Sequence, residues 1–166
     1  TSYFLKKTGY QPHSVVLSGP ALRFAVDVPI WKRLAGQVAS RLVPTLGLPS
    51  GIDPAVLTHD KAVVDAYAND PLVLTQATAR WFTESQRAQA EVLASPFEVA
   101  CPLLLLQGGD DKLVDTGTNR AFFEVLRAPR KEFKEYAGFY HEILNEVEKD
   151  RVFADLGAWY GSLLAG

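Results

Sequence analysis

Three stretches of the chain carry the hydrophobic patterns of β-strands. Residues 103–106 are four consecutive leucines, followed after one residue by a pair of glycines. Residues 14–17 form a second short, mostly apolar run, which ends at a Ser-Gly-Pro turn. Short apolar runs with turn residues at their ends are typical of strands that are buried on both faces. Residues 131–136 alternate polar and apolar side chains and predict a third strand.

Helical spacing of apolar residues fills much of the remaining chain. Between the second and third strands, four apolar residues share one stripe and Pro129 ends the helix. The first seven residues resemble the rear end of a helix that Thr8 and Gly9 would close. Further helices are predicted over residues 31–42, 60–68, 72–93 and 149–164. The stripe before Pro129 comprises Ala121, Phe122, Val125 and Leu126, and the inward face of the last helix comprises Val152, Phe153, Leu156, Trp159 and Leu163.

About eighty residues separate the first strand from the second, and they are rich in helix and loop patterns. Prolines and glycines over residues 44–54 predict a bent linker inside this stretch. An insertion of this length between two strands is either a cap over a site or a separate packing layer.

Acidic residues and a histidine follow the second and third strands. A strand–helix–strand connection within one sheet is normally parallel and right-handed, so both strands end at the same edge. Neighbouring strands lie roughly 4.8 Å apart, so an aspartate after one strand can meet His141 after the next. Open α/β sheets place their sites at this edge. An aspartate that orients a histidine makes up two-thirds of a nucleophilic triad.

Three aspartates are candidates for that acid. Asp110 and Asp111 are adjacent and chemically equivalent, so the residues alone do not separate them. Asp115 fits the N-terminus of the following helix, where the helix dipole favours a negative charge. The spacing of the three lacks the alternating acids and the distal glutamate of a calcium loop, so no metal site is expected.

Composition and charge narrow the class of protein. The 166 residues are 48% hydrophobic and 11% aromatic, which predicts a globular domain with a real core. With 17 basic against 19 acidic residues, no basic excess favours nucleic acid or an anionic membrane. No apolar stretch approaches the roughly 20 residues of a spanning helix, and no signal peptide is recognised. The single cysteine, Cys101, excludes an internal disulfide, fits a small buried hydrophobe and suggests a reducing, cytoplasmic location.

Four segments resemble the monoacylglycerol lipase and lysophospholipase group of α/β-hydrolases: VVLSGPAL, GIDPAVLTHDKAVVDAYANDPL, PLLLLQGGDDKLVD and YAGFYHEILNE. The similarity covers nearly the whole chain and holds in order. It implies the C-terminal part of an α/β-hydrolase sheet, formed by residues 1–20 and 97–166, with a helical cap over residues 21–96. It also implies that Asp111 is the acid of the triad and His141 its histidine, and that no cofactor is needed.

The resemblance implies a nucleophile that this sequence lacks. The order of the triad in the family is serine, acid, histidine, with the serine in a G-x-S-x-G elbow. No such motif occurs here, and the alignment places it a few residues before Thr1, in an N-terminal part of the same hydrolase. Ser18 follows a predicted buried strand, but it has no elbow glycines and is expected to be structural.

The expected function is therefore hydrolysis of monoacylglycerol or lysophospholipid-like esters, with the serine supplied from outside this chain. The alternative is an inactive fragment or a non-enzymatic binding module with a degenerate hydrolase fold. Four apolar residues of the cap either line an acyl-chain pocket or form the core of the cap, and the cap is a candidate for peripheral membrane contact. These four are Trp31, Leu46, Leu48 and Trp81; of the remaining polar residues, His13 and His59 are expected to be solvated, and Glu142 and Glu146 to form a polar helix face.

Overall fold

The structure is a computed structural model that describes residues 1–25 and 29–164. Helices and strands alternate at both ends of the chain, as the sequence pattern predicts. The elements are α1 (Ser2–Thr8), β1 (Val15–Ser18), α2 (Ile30–Leu42), β2 (Gly47–Pro49), α3 (Lys61–Asn69), β3 (Gln76–Thr78), α4 (Ala79–Leu93), β4 (Leu103–Gly108), α5 (Thr116–Val125), β5 (Lys131–Tyr136) and α6 (Lys149–Leu164), with short 3₁₀ turns at Pro54–Val56 and Ile143–Asn145.

The main sheet is parallel and has the strand order β1–β4–β5. β4 is the central strand, and all six of its residues are buried, which explains its unbroken run of leucines. Its register pairs Leu103 with Lys131 and Gly108 with Tyr136, so β4 and β5 end side by side. The α/β class predicted from the sequence is confirmed.

Two apolar clusters cover the two faces of this sheet. Successive residues of β4 point to opposite faces, so Leu103 and Leu105 join one cluster while Leu104 and Leu106 join the other. The first cluster is completed mainly by α1, β1 and α5, and the second by the segment after β5 and by α6. The main partners are Leu5, Leu17, Phe122 and Phe123 in the first, and Phe139, Ile143, Val152 and Trp159 in the second.

β1 forms one edge of the main sheet. Within the described residues it pairs along its length with β4 alone. α1 precedes it and ends at Gly9, whose φ of +63° is the left-handed conformation that closes many helices. The expected helix end at Thr8 and Gly9 is therefore confirmed.

The segment between β1 and β4 contains α2, α3, α4 and a two-stranded antiparallel ribbon of β2 and β3. The prediction of one mostly helical stretch over residues 72–93 is wrong in its first part. Residues 76–78 pair with β2, and α4 begins only at Ala79, where the Thr78 hydroxyl accepts a hydrogen bond from the Trp81 N–H. A threonine in extended conformation is a favourable N-cap, so the helix starts there.

Two predicted inward faces also differ from the structure. In α5, Ala121 and Val125 are exposed, and Phe123 packs in the core instead. In α6, Phe153 is about half exposed although its neighbour Val152 is fully buried. No helix within residues 1–25 and 29–164 has both the length and the apolar character needed to cross a membrane.

Replacing Leu105 by alanine should destabilise the fold strongly, because this side chain is completely buried in the central strand. We expect the free energy of unfolding to fall by roughly 2–5 kcal/mol, measured by urea unfolding followed by circular dichroism. Leu72→Ala is the matched control, since Leu72 is 85% exposed, and it should change that free energy by less than about 0.5 kcal/mol. Equal losses in the two variants would contradict the assignment of β4 as the core strand.

Candidate active site

The loops after β4 and β5 cross each other closely at the carboxyl edge of the sheet. The Gly109 N–H donates to the Tyr136 carbonyl at 2.8 Å, and the Asp110 N–H donates to the Phe139 carbonyl at 2.9 Å. A Cβ atom on Gly108 would lie only 2.0 Å from the Tyr140 carbonyl oxygen. The glycine pair at the end of β4, Gly108 and Gly109, therefore leaves the space that the two loops need to come together.

Asp111 and His141 meet where these loops cross. The Asp111 Oδ2 atom lies 2.8 Å from the His141 Nδ1 atom. This distance confirms the contact expected between the two residues, whereas their catalytic role stays a prediction. The Asp111 side chain is fully buried, and that of His141 is 24% exposed. Because the carboxylate accepts, Nδ1 carries the proton, and Nε2 of a neutral imidazole is left free to accept another.

The other two candidate acids lie elsewhere. Asp110 is exposed to solvent, and its side chain does not reach His141. Asp115 caps the N-terminus of α5, where its carboxylate accepts from the Thr118 N–H. Of the three candidate aspartates, Asp111 is the one whose carboxylate contacts His141.

A network of donors holds the Asp111 carboxylate in place. Oδ1 accepts from the backbone N–H groups of Leu113 at 2.9 Å and Val114 at 3.1 Å. Oδ2, besides contacting His141, accepts from the Gln107 amide at 3.1 Å. The Gln107 side chain is in turn fixed by the Asn119 amide, which donates to its Oε1 at 2.7 Å.

Sequence reasoning missed Gln107 and Asn119, both of which are fully buried. The available signal was a polar residue at position 107, between a run of leucines and the glycine pair. A buried polar side chain needs a partner, and Gln107 finds one in the Asp111 carboxylate of the loop that follows β4.

The pKa of Asp111 is held below its ordinary value. Burial alone would raise it, because a charge is poorly solvated in the interior. The hydrogen bond with His141 and the N–H groups of Val114 and Leu113 favour the carboxylate and outweigh burial. Asp111 is therefore ionised at neutral pH and can stabilise a positive charge on the imidazole.

Gly19, directly after β1, lies against the His141 ring. A Cβ atom on Gly19 would lie 3.3 Å from both Cε1 and Nδ1 of that ring, and its φ of +46° also favours glycine. The turn after β1 thus limits where the imidazole can lie. The neighbouring Ser18 is exposed, and it is Leu106 that accepts from the Gly19 N–H.

The remaining polar residues singled out in the sequence lie outside the contact between Asp111 and His141. His13 is exposed, as expected, and Glu142 is partly buried. The placement of Glu146 on a polar helix face is wrong: this residue is only 2% exposed and contacts the ring of His59. The described residues contain no group of three or more histidine, cysteine, aspartate or glutamate side chains that could hold a metal ion.

Comparisons with known proteins identify the family of the chain. Residues 1–148 match the family described as serine aminopeptidase, S33. A phospholipase of Bacillus subtilis is 31% identical over 140 residues, covering 84% of this chain and 54% of the relative. The human monoglyceride lipase is 29% identical over 157 residues, covering 93% of this chain and 52% of the relative. The chain thus spans about half the length of these two relatives.

Solved structures show the same relationship. The monoacylglycerol lipase of Paleococcus ferrophilus superposes with a TM-score of 0.89 at 26% identity, covering 98% of this chain and 63% of that one. A monoglyceride lipase of Saccharomyces cerevisiae superposes with a TM-score of 0.77 at 20% identity, which concerns the fold alone. The fold expected from the resemblance, that of an α/β-hydrolase, is confirmed.

Replacing Asp111 by asparagine should destabilise the protein in a pH-dependent way, because one amide N–H would then face groups that donate to the carboxylate. The pKa of Asp111 is lower in the folded protein than its ordinary value of 3.8. The stabilisation is therefore complete above that pH and is lost as the pH falls below it. We expect the difference in unfolding free energy between wild type and Asp111→Asn to be largest near neutral pH and to shrink under acid conditions.

Asp110→Asn is the matched control for this measurement, since Asp110 is adjacent and exposed. It should leave the free energy of unfolding nearly unchanged across the same pH range. If the difference in unfolding free energy between wild type and Asp111→Asn did not change with pH, the ionised form of Asp111 would not be the form that stabilises the fold.

Proposed function

The chain belongs to the serine aminopeptidase S33 family, and on that premise we propose that it supplies the acid and the histidine of a serine ester hydrolase. The substrates that we propose are monoacylglycerols or lysophospholipid-like esters, in line with the names of the relatives. The observation that carries this proposal is the 2.8 Å contact between Asp111 and His141 at the carboxyl edge of a parallel sheet. Aspartate, histidine and serine together make the triad of acyl transfer.

In the proposed reaction a serine hydroxyl attacks the ester carbonyl, and the His141 Nε2 atom takes the hydroxyl proton. The ester bond then breaks, and the imidazolium passes this proton to the leaving alcohol, which leaves an acyl-serine. Water, deprotonated by the same nitrogen, releases the fatty acid and restores the serine. Asp111 stays ionised throughout and stabilises the imidazolium through Nδ1, a role that suits its lowered pKa.

We propose that the serine belongs to a preceding part of a longer protein. In the described residues the one side chain that hydrogen-bonds to the His141 ring is Asp111. The outer edge of β1 offers a place for a strand to pair, and such a strand would end near Gly19 and the imidazole. A turn from that strand into α1 would bring its serine to the His141 side of the sheet.

We further propose that residues 21–96 act as a cap over a core formed by residues 1–20 and 97–166. The exposure of the four apolar residues singled out in the cap supports acyl-chain contact over a role as cap core. Their exposed fractions run from 42% for Leu46 to 64% for Trp31, with Leu48 and Trp81 between them. Such exposed apolar surface supports a lipid-like substrate and peripheral membrane contact. A cytoplasmic location, suggested by the single buried cysteine, remains part of this proposal.

Activity of the full-length protein tests the triad. His141→Ala and Asp111→Asn should each lower kcat on a soluble monoacylglycerol by roughly 10⁴-fold, because neither variant keeps an imidazole in the correct tautomer as general base. Ser18→Ala, which alters an exposed serine next to the site, should retain wild-type kcat. Steady-state release of free fatty acid measures all three, and full activity of His141→Ala would exclude the proposed reaction.

Covalent labelling tests where the nucleophile lies. A fluorophosphonate should modify one serine of the full-length protein, and peptide mass spectrometry should place it before Thr1. The 166-residue chain alone should neither be labelled nor hydrolyse a p-nitrophenyl ester above background. Labelling of Ser18 would overturn the proposal that the serine lies outside this chain.

A further inference from the structure

The residues on both sides of His141 are tied to one short segment of the cap. The Glu142 N–H donates to the Leu57 carbonyl at 2.8 Å. The Tyr140 N–H donates to the Glu146 Oε1 atom at 2.8 Å, and the same oxygen lies 2.9 Å from the ring nitrogen Nδ1 of His59. His141 thus lies between two backbone positions that both lead to residues 57–59.

Glu146 is the centre of these contacts. Its side chain is 3% exposed, and its second oxygen accepts from the His59 N–H at 3.0 Å. Burial raises the pKa of Glu146, but the N–H groups of Tyr140 and His59 and the His59 ring together lower it below its ordinary value. A buried carboxylate is tolerated only when such donors surround it. The Glu146 carboxylate therefore holds its donors in place. These donors belong to His59 in the cap linker and to Tyr140, the residue before His141.

Aromatic contacts reinforce the same junction. The rings of His59 and Tyr140 are stacked with their centroids 3.8 Å apart. The Lys112 ammonium lies 4.8 Å from the centroid of the Tyr140 ring, and Lys112 directly follows Asp111 in the chain. The junction therefore joins the cap linker, the histidine loop and the aspartate loop.

We propose that Glu146 and residues 57–59 form a clamp that positions His141 and makes its placement depend on the cap. Glu146 is in this view a positioning residue, which acts on the reaction through the backbone at Tyr140. Two bonds distinguish this role from a purely stabilising one. The Glu146 carboxylate holds Tyr140, the residue before His141, and the Leu57 carbonyl holds Glu142, the residue after it. The catalytic part of this inference rests on the proposed hydrolase function.

The first experiment compares Glu146→Gln with wild type in the full-length protein. Glutamine keeps the shape but turns one acceptor into a donor, which would face either the Tyr140 N–H or the His59 N–H. Misplacement of a catalytic group by about 1 Å can lower the rate by roughly 100-fold. We therefore expect kcat on p-nitrophenyl butyrate to fall by roughly 10–100-fold, with KM changed by less than about twofold.

Lys131→Met is the control for lost stability without lost positioning. Lys131 is the first residue of β5, at the end of the strand away from the loop that carries His141. Its ammonium donates to the Phe123, Glu124 and Leu126 carbonyls. This variant should lower the thermal midpoint while kcat and KM stay at wild-type values. A Glu146→Gln variant that behaves in the same way, with a lower midpoint and unchanged kcat, would overturn the clamp.

Two variants of His59 keep the inference testable if Glu146→Gln does not fold. The His59 side chain is 46% exposed, so its replacement is compatible with folding. His59→Asn keeps an N–H donor near the position of Nδ1, whereas His59→Phe keeps the stacked ring and loses the donor. We expect His59→Phe to lower kcat in the same way as Glu146→Gln and His59→Asn to stay within a few-fold of wild type. Wild-type kcat in His59→Phe would overturn the role given to the carboxylate bond.

A spectroscopic measurement separates the clamp from the proposed function. The proton that Nδ1 of His141 shares with Asp111 should give a downfield proton resonance in wild type, assigned by its loss in His141→Ala. In Glu146→Gln and His59→Phe this resonance should broaden or shift, and in Lys131→Met it should not. An unchanged resonance in Glu146→Gln and His59→Phe would overturn the clamp whether or not the protein hydrolyses esters. If the wild-type protein is inactive on esters but the resonance still shifts in the two variants, only the proposed function is overturned.

Discussion

The parallel pairing of β4 with β5 is the constraint on which the site depends. Its register places Gly108 opposite Tyr136, so two chain segments leave the sheet at the same point and must share the same space. Two consecutive glycines make that possible, because a side chain on Gly108 would overlap the Tyr140 carbonyl. The contact between Asp111 and His141 follows from this crossing.

Two carboxylates are withdrawn from water at this edge of the sheet, and both are stabilised in the same way. Asp111 and Glu146 each accept from two or more backbone N–H groups as well as from one imidazole. Backbone donors are fixed by the fold, so they need no side-chain ordering to reach the carboxylate. The protein therefore keeps two buried negative charges, each beside a histidine.

Local patterns in the sequence were sufficient to predict the contact between Asp111 and His141. They were insufficient to predict the contact between Glu146 and His59. Asp111 and His141 follow strands whose apolar pattern is unambiguous, and strand order in a β-α-β unit is strongly constrained. Glu146 lies just after a 3₁₀ turn in a stretch with helical character, and its partner His59 is 87 residues away, so no periodicity links them. The ribbon of β2 and β3 was missed for a related reason: three-residue strands are too short for an alternation to be recognised, and the leucines before β3 resemble a helical face. Gln107 and Asn119 are each unremarkable in sequence, and only the packing of α5 on β4 brings them together.

The ties between residues 57–59 and the segment around His141 also bear on how the protein acquires its structure. The pairing of β4 with β5 and the contact of Asp111 with His141 span about thirty residues, whereas the bonds to Glu146 close a loop of 87. Contacts of high sequence separation form late, because the entropy of loop closure must be overcome before they contribute. A folding chain would therefore pair β4 with β5 and bring the imidazole to the aspartate first, whereas β1 and residues 57–59 join across much longer stretches of chain. The hydrogen bonds that hold the residues on both sides of His141 would be complete only after residues 57–59 have docked.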